Sequence, residues 1–184
     1  MSIQFPYLVQ TLGEAVAWVS KYHGLNRGLA LGVGRGEDVV RLLELRRDIH
    51  MTLVEDWRRN RRLDRDMERA AKSKLWPYAR RHRQIRLPDF VALDEIEDGS
   101  LDFVFINKAE YPPSALDAVQ RWQRKIQPRG MFIGGCADMR TVKDAEPMFG
   151  GFDLGPAGSW FTKAHPDRGV PIQGVSDVEI QAHQ

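Results

Sequence analysis

The sequence predicts a single α/β domain built on a mostly parallel sheet covered by helices on both faces. Three observations predict it. Short apolar runs alternate with segments of helical period along the chain. One of those runs, Leu101 to Ile106 (Leu-Asp-Phe-Val-Phe-Ile), is apolar enough to be a central strand. A glycine-rich turn, Gly32-Val33-Gly34-Arg35-Gly36, stands between the first strand and the helix that follows it.

Size and composition agree. The 184 residues suit one core, and 42% hydrophobic with 28% charged residues is the balance of a globular protein. No apolar run approaches the roughly 18 residues a membrane helix needs. Met1 to Gln10 has no basic stretch leading into an apolar core, so no secretion signal is expected. The lone cysteine, Cys136, cannot form an internal disulfide. A cytoplasmic setting is the default expectation.

The elements follow in order. Leu8, Leu12, Ala15, Val16 and Val19 predict a helix over 6–22, broken by Gly24 and Gly28. Leu29 to Leu31 predicts the first strand. Val39, Val40, Leu42 and Leu43 predict a helix ending near Arg47, and Met51 to Val54 a second strand. Leu63, Met67, Ala70, Ala71 and Leu75 give a helix with one apolar stripe and an arginine-rich outer face, ended by Pro77. Gln84 to Leu87 is the candidate third strand, ahead of the central run at 101–106. Ser114 and Asp117 read as a capping box for a helix with Val119 and Trp122 on its stripe. Pro128-Arg129-Gly130 turns the chain into a fifth strand, Met131 to Ile133. A weak helix spans roughly 140–149. Phe152 to Leu154 and Trp160 to Thr162 predict a closing hairpin. The domain is expected to cover 1–164, with a loose polar tail over 165–184.

The glycine turn lies at the carboxyl end of a strand, where open α/β sheets bind ligands. Its spacing selects among them. Glu37 stands at the sixth motif position, where a dinucleotide fingerprint needs glycine or alanine. The Gly-Lys-Ser/Thr of a phosphate loop is absent. Glu37 and Asp38 suit the positive end of the helix dipole but would repel a pyrophosphate there. A nucleoside without phosphates fits better. Glu55, 23 residues after Gly32, closes the second strand and is placed to accept hydrogen bonds from ribose hydroxyls. Read singly, these are an ordinary tight turn and a surface carboxylate; their order favours the nucleoside site.

Three stretches carry a resemblance. Ala30-Leu31-Gly32-Val33-Gly34-Arg35-Gly36-Glu37 resembles the first motif of class I S-adenosylmethionine-dependent methyltransferases. Asp98 to Asn107, followed by Glu110-Tyr111, is similar to their fourth motif, and Pro128 to Gly135 to the segment through their fifth strand. The resemblance covers roughly residues 25–164 and is strongest to small bacterial members. It implies a three-layer Rossmann-like sheet of about seven strands with the last antiparallel. It also implies S-adenosylmethionine as cofactor and S-adenosylhomocysteine as product. The methionine part would lie against Gly32, Gly34 and Gly36. The ribose would meet Glu55, or neighbouring Asp56, and Asp89 would reach the adenine amino group. Asn107 would face the sulfonium. Ala30, Asn107 and Glu110 stand where the family usually has acidic, aspartate and histidine residues, and Gly135-Cys136-Ala137-Asp138 replaces Gly-His-Asp-Tyr. With so few carboxylates converging there, no metal is expected.

Methyl transfer needs an aligned acceptor and sometimes a base. Glu110 is the candidate base and Tyr111 the candidate acceptor-positioning residue, each weighed against a plain loop residue. Trp57 is a candidate pocket wall, whereas Trp122 and Trp160 are expected in the core. The five histidines show no metal-ligand spacing. A small-molecule acceptor is expected, with a homodimer able to complete the pocket. Two other functions stand beside the enzyme: an inactive binding or scaffold protein of the same fold, and an RNA-binding domain. The last rests on Arg58 to Arg86, where twelve Lys or Arg face three Asp or Glu. The same block also reads as a solvated helix face.

Overall fold

The computed structural model describes residues 9–57, 63–107, 115–135, 151 and 153–165. The elements are α1 (Leu12–Tyr22), β1 (Arg27–Leu31), α2 (Glu37–Leu45), β2 (His50–Val54), α3 (Leu63–Leu75), β3 (His82–Ile85), α4 (Asp89–Ala92), β4 (Leu101–Asn107), α5 (Ala115–Trp122), β5 (Ile126–Gly135), β6 (Asp153–Leu154) and β7 (Trp160–Lys163). They form a seven-stranded sheet in the order β3-β2-β1-β4-β5-β7-β6. The first five strands are parallel, and β7 runs antiparallel to β5 and β6. The predicted α/β class, the strand number and the antiparallel last strand are all present.

Strand alternation sorts the core into two layers, because successive side chains point to opposite faces. Ala30, Leu53, Phe103, Phe105 and Ile133 pack under α1, α2 and α3. Leu29, Leu31, Val104, Ile106 and Phe132 pack under α4 and α5, with Trp122 and Trp160 fully in that layer. Both tryptophans are core residues, as the sequence suggests.

Several boundaries shift for local reasons. The first helix begins at Leu12 rather than near residue 6, because Thr11 is extended and caps it. The Thr11 hydroxyl accepts from the Glu14 N–H at 3.2 Å, and the Glu14 carboxylate accepts from the Thr11 N–H at 3.2 Å. This reciprocal capping box satisfies N–H groups that the first turn leaves unbonded. The third strand lies at 82–85, two residues before the predicted run, since Met51 pairs with His82 and Val54 with Ile85. Pro128-Arg129-Gly130 is not a turn ahead of β5 but an irregularity inside it. Leu101 faces Ile126 while Phe103 already faces Met131. The predicted cap at Ser114 and the weak helix at 140–149 lie outside the described residues.

Arg46, at the end of α2, ties the lower edge of the domain together. Its guanidinium is buried and donates to the Ser20 hydroxyl (2.8 Å), the Leu25 carbonyl (3.1 Å) and the Asn26 side-chain oxygen (2.7 Å), and it pairs with Asp48 at 3.0 Å. Removing it strands several buried acceptors at once. Arg46→Ala is expected to cost about 3 kcal/mol in urea unfolding; an unchanged midpoint would show that water replaces the whole set.

Candidate nucleoside site

The site assembles at the carboxyl ends of β1, β2 and β4. Strand order reverses between β1 and β4, the place where open sheets leave a crevice for a ligand. Gly32, Gly34 and Gly36 follow β1, and all three are left-handed, with φ of 79°, 54° and 84°. Glycine takes these angles without the penalty that a Cβ brings. The Gly32 N–H donates to the Val54 carbonyl at 3.3 Å, tying the turn to β2, and the Gly36 N–H donates to Val33 at 2.9 Å. Gly36 has a second duty. A Cβ there would meet Ala71 and Leu75 of α3 at 3.4–3.7 Å, so this glycine also faces the α2–α3 packing.

Two residues just past β2 hold the turn. The Oε2 of Glu55 accepts from the Val33 N–H at 2.8 Å and from the Gly34 N–H at 3.1 Å. The buried indole of Trp57 donates to the Gly34 carbonyl at 3.4 Å. One side chain thus fixes the turn's N–H groups and the other fixes a carbonyl. Glu55 and the glycine turn, paired in the sequence only by spacing, are in direct contact. Asp56 is half-buried beside them.

A second node lies at the β4 end. Asn107 is buried, and its amide donates to the Asp38 carboxylate at 3.1 Å. The other oxygen of Asp38 accepts from the Gly13 N–H at 3.0 Å. Asp38 therefore joins α1, α2 and β4 immediately behind the glycine turn. In the sequence it stands only as a partner of the helix dipole. Its position in the first turn of α2 was visible, but the contact with Asn107, 69 residues away, was not. Burial pushes the Asp38 carboxyl above its usual value and Glu37 adds to this, against the Gly13 and Asn107 hydrogen bonds. A raised folded-state value means that the protonated form is the better-tolerated one. Its stabilising contribution is complete below the unfolded-state pKa and is lost as pH rises through the folded value. Relative to Asp38→Asn, the wild type should therefore lose stability as pH rises through and above the usual carboxylate range. Urea unfolding of both proteins across that range checks the sign; a wild type that gains on the variant with rising pH contradicts it.

Asp89 is buried at the start of α4 and pairs with Arg121 of α5 at 2.9 Å. This joins two elements on the far face of the sheet from α2. No sequence signal pointed to Arg121. Glu110 and Tyr111 lie outside the described residues, as does Cys136. Among the described residues no three His, Cys, Asp or Glu side chains converge as a metal-holding group. A cleft of about 280 Å³ opens on the outer side of α1 and α2, lined by Trp18, Lys21, Arg41 and Leu45 among others; it contains none of the turn residues.

No protein-family model matches the sequence, and no curated protein matches it. Solved structures do match the fold. A proposed caffeoyl-CoA O-methyltransferase of Staphylococcus aureus superposes with a TM-score of 0.63 at 16% identity, over 86% of this chain and 85% of that one. The O-methyltransferase TomG of Streptomyces achromogenes, solved in complex with S-adenosylmethionine, gives 0.59 at 13% identity, over 82% and 78%. The methyltransferase PaMTH1 of Podospora anserina, bound to S-adenosylhomocysteine, gives 0.59 at 16%, over 82% and 76%. The chain has the class I methyltransferase fold. In the methyltransferase fold of this chain, the glycine turn, Glu55 and Asn107 all stand at the ends of the three strands β1, β2 and β4 that flank the reversal point. No helix of the described residues is long and apolar enough to cross a membrane.

Proposed function

We propose that this protein is an S-adenosylmethionine-dependent methyltransferase acting on a small-molecule acceptor. The observation that carries the reading is the pairing of Glu55 with the left-handed glycine turn at the strand-order reversal. Glycines without side chains let a ligand approach the backbone. A carboxylate with one oxygen anchored by two N–H groups is oriented before any ligand arrives. Carboxylate oxygens have enough lone pairs for further donors such as ribose hydroxyls. The residues present thus fit a nucleoside cofactor. Gly32, Gly34 and Gly36 would take its amino-acid portion, and Glu55, with Asp56 beside it, the ribose. Asp89 would meet the adenine and Asn107 the sulfonium end. When bound, the cofactor supplies an already reactive methyl group.

The protein's own task is then alignment and, for a protic acceptor, removal of a proton. Asn107 cannot act as a base, since its amide does not titrate in water. Glu110 is the base in this reading and Tyr111 the acceptor-positioning residue. The fold of the neighbours and their bound cofactors support the donor assignment, and the O-methyltransferases among them support a small-molecule acceptor.

Calorimetric titration with S-adenosylmethionine and S-adenosylhomocysteine tests the reading. Micromolar binding of both, followed by turnover in an acceptor screen, is the expected result. Binding without turnover of any acceptor class would favour a scaffold that keeps its ligand. A folded protein that binds neither nucleoside would remove the methyltransferase reading.

A further inference from the structure

Helix α3 and the tight 3-10 turn at Trp76–Arg81 carry a feature that the nucleoside site does not use. Met67, Ala71 and Leu75 form the inner stripe and pack into the core. Arg69 and Trp76, seven residues or about two helical turns apart, lie away from that stripe, and Arg80 follows Trp76 within the tight turn; all three are exposed. Trp76 is 79% exposed, more than any other large hydrophobic side chain among the described residues.

The neighbouring cations are mostly occupied. Lys72 pairs with Glu68 at 2.8 Å, and Lys74 pairs with Glu37. Arg81 donates to the Arg46 and Leu43 carbonyls, closing the end of α2. Arg83 donates to Thr52 and the Glu95 carbonyl. Arg69 and Arg80 are exposed and make no ion pair among the described residues. Glu68 is taken by Lys72 and Arg86, and the two exposed arginines lie on either side of the indole along the chain.

The surroundings of the ring decide what it suits. Ser73, Pro77 and Ala79, its exposed neighbours in the chain, offer little apolar area. A membrane-binding helix, or one docked in a hydrophobic groove, needs a continuous apolar stripe. Here the indole stands alone among positive charges, and the block from Arg58 to Arg86 carries twelve basic residues against three acidic. A flat π face flanked by cations is the combination that single-stranded nucleic acid requires, one for a base and the other for phosphates. We propose that the outer stripe of α3 and its following turn docks single-stranded nucleic acid, with a base stacked on Trp76 and phosphates at Arg69 and Arg80. This surface is independent of the methyltransferase reading and stands or falls without it.

The test is fluorescence anisotropy of a labelled oligouridylate titrated with the full chain, beside an abasic oligomer of the same length. All three positions are exposed, so Trp76→Ala and the double variant Arg69→Glu/Arg80→Glu should melt like the wild type by circular dichroism. Trp76→Ala is expected to weaken oligouridylate binding about tenfold or more while leaving the abasic oligomer unaffected. The charge reversal is expected to weaken both by more than about tenfold and to flatten the salt dependence. Absence of salt-sensitive binding overturns the proposal, as does a Trp76→Ala variant with wild-type affinity for the oligouridylate. Tighter binding of anionic vesicles or of an acidic peptide than of the oligomer would assign the surface to another partner and likewise overturn it.

Discussion

Gly34→Asp is expected to lower affinity for S-adenosylhomocysteine by more than about a hundredfold, equivalent to about 3 kcal/mol. Two costs act together. Gly34 is left-handed at φ 54°, and a residue with a Cβ pays roughly 1–2 kcal/mol to stay there. The new carboxylate would also enter the turn where the Glu55 Oε2 already lies 3.1 Å from the Gly34 nitrogen. Two like charges at such separations repel by a few kcal/mol at the effective dielectric of a protein surface. The turn can relieve both only by releasing Glu55, which dismantles the proposed ribose acceptor as well. Calorimetry beside thermal melting separates the outcomes. A folded variant that binds as tightly as the wild type would show that the ligand does not use this turn.

Glu55→Ala is the second large effect, and it falls on stability and binding alike. It leaves the Val33 and Gly34 N–H groups without their acceptor in a partly buried turn. An unsatisfied donor of this kind costs about 1–3 kcal/mol, so the pair should cost about 3 kcal/mol in all. For a domain of this size that corresponds to a fall in melting temperature of roughly 6–12 °C. Glu55→Gln distinguishes the two roles. Its remaining amide oxygen can still accept from the turn, so stability should fall by only about 1 kcal/mol. The loss of charge should still weaken nucleoside binding. A Glu55→Ala protein with wild-type melting would mean that water or another side chain supports the turn.

Much of this could be read along the chain because the physics there is local. Leu101 to Ile106 was legible as a central strand, since a strand buried on both faces is apolar at nearly every position; the one exception, Asp102, accepts from the Asn26 and Arg27 N–H groups. The glycine turn was legible because left-handed backbone at three alternate positions leaves glycine as the economical residue. The third strand was harder. His82–Ile85 is polar and only half-buried, and its register comes from pairing with Met51 and Val54 rather than from its own pattern. The same holds for Pro128 to Gly130, where turn-like residues were absorbed into a strand irregularity because β4 demanded the register.

The candidate site divides in the same way. Gly32, Gly34, Gly36 and Glu55 announced themselves by type and order, whereas the partners that set their geometry did not. Trp57 was placed near the pocket, but its bond to the Gly34 carbonyl depends on how the chain turns after β2. Asn107 was expected to face a ligand; in the structure its amide is held by Asp38, across 69 residues of sequence. Asp89 and Arg121 likewise meet only because α4 and α5 cover one face of the sheet. By itself, then, the sequence determined the α/β class, the alternation that builds two core layers, and the turn that marks the site. Those depend on backbone preferences and on periodicity, which each short segment carries within itself. The tertiary structure alone decided which polar groups meet, because a hydrogen bond between distant residues exists only once packing has brought its donor and acceptor within about 3 Å.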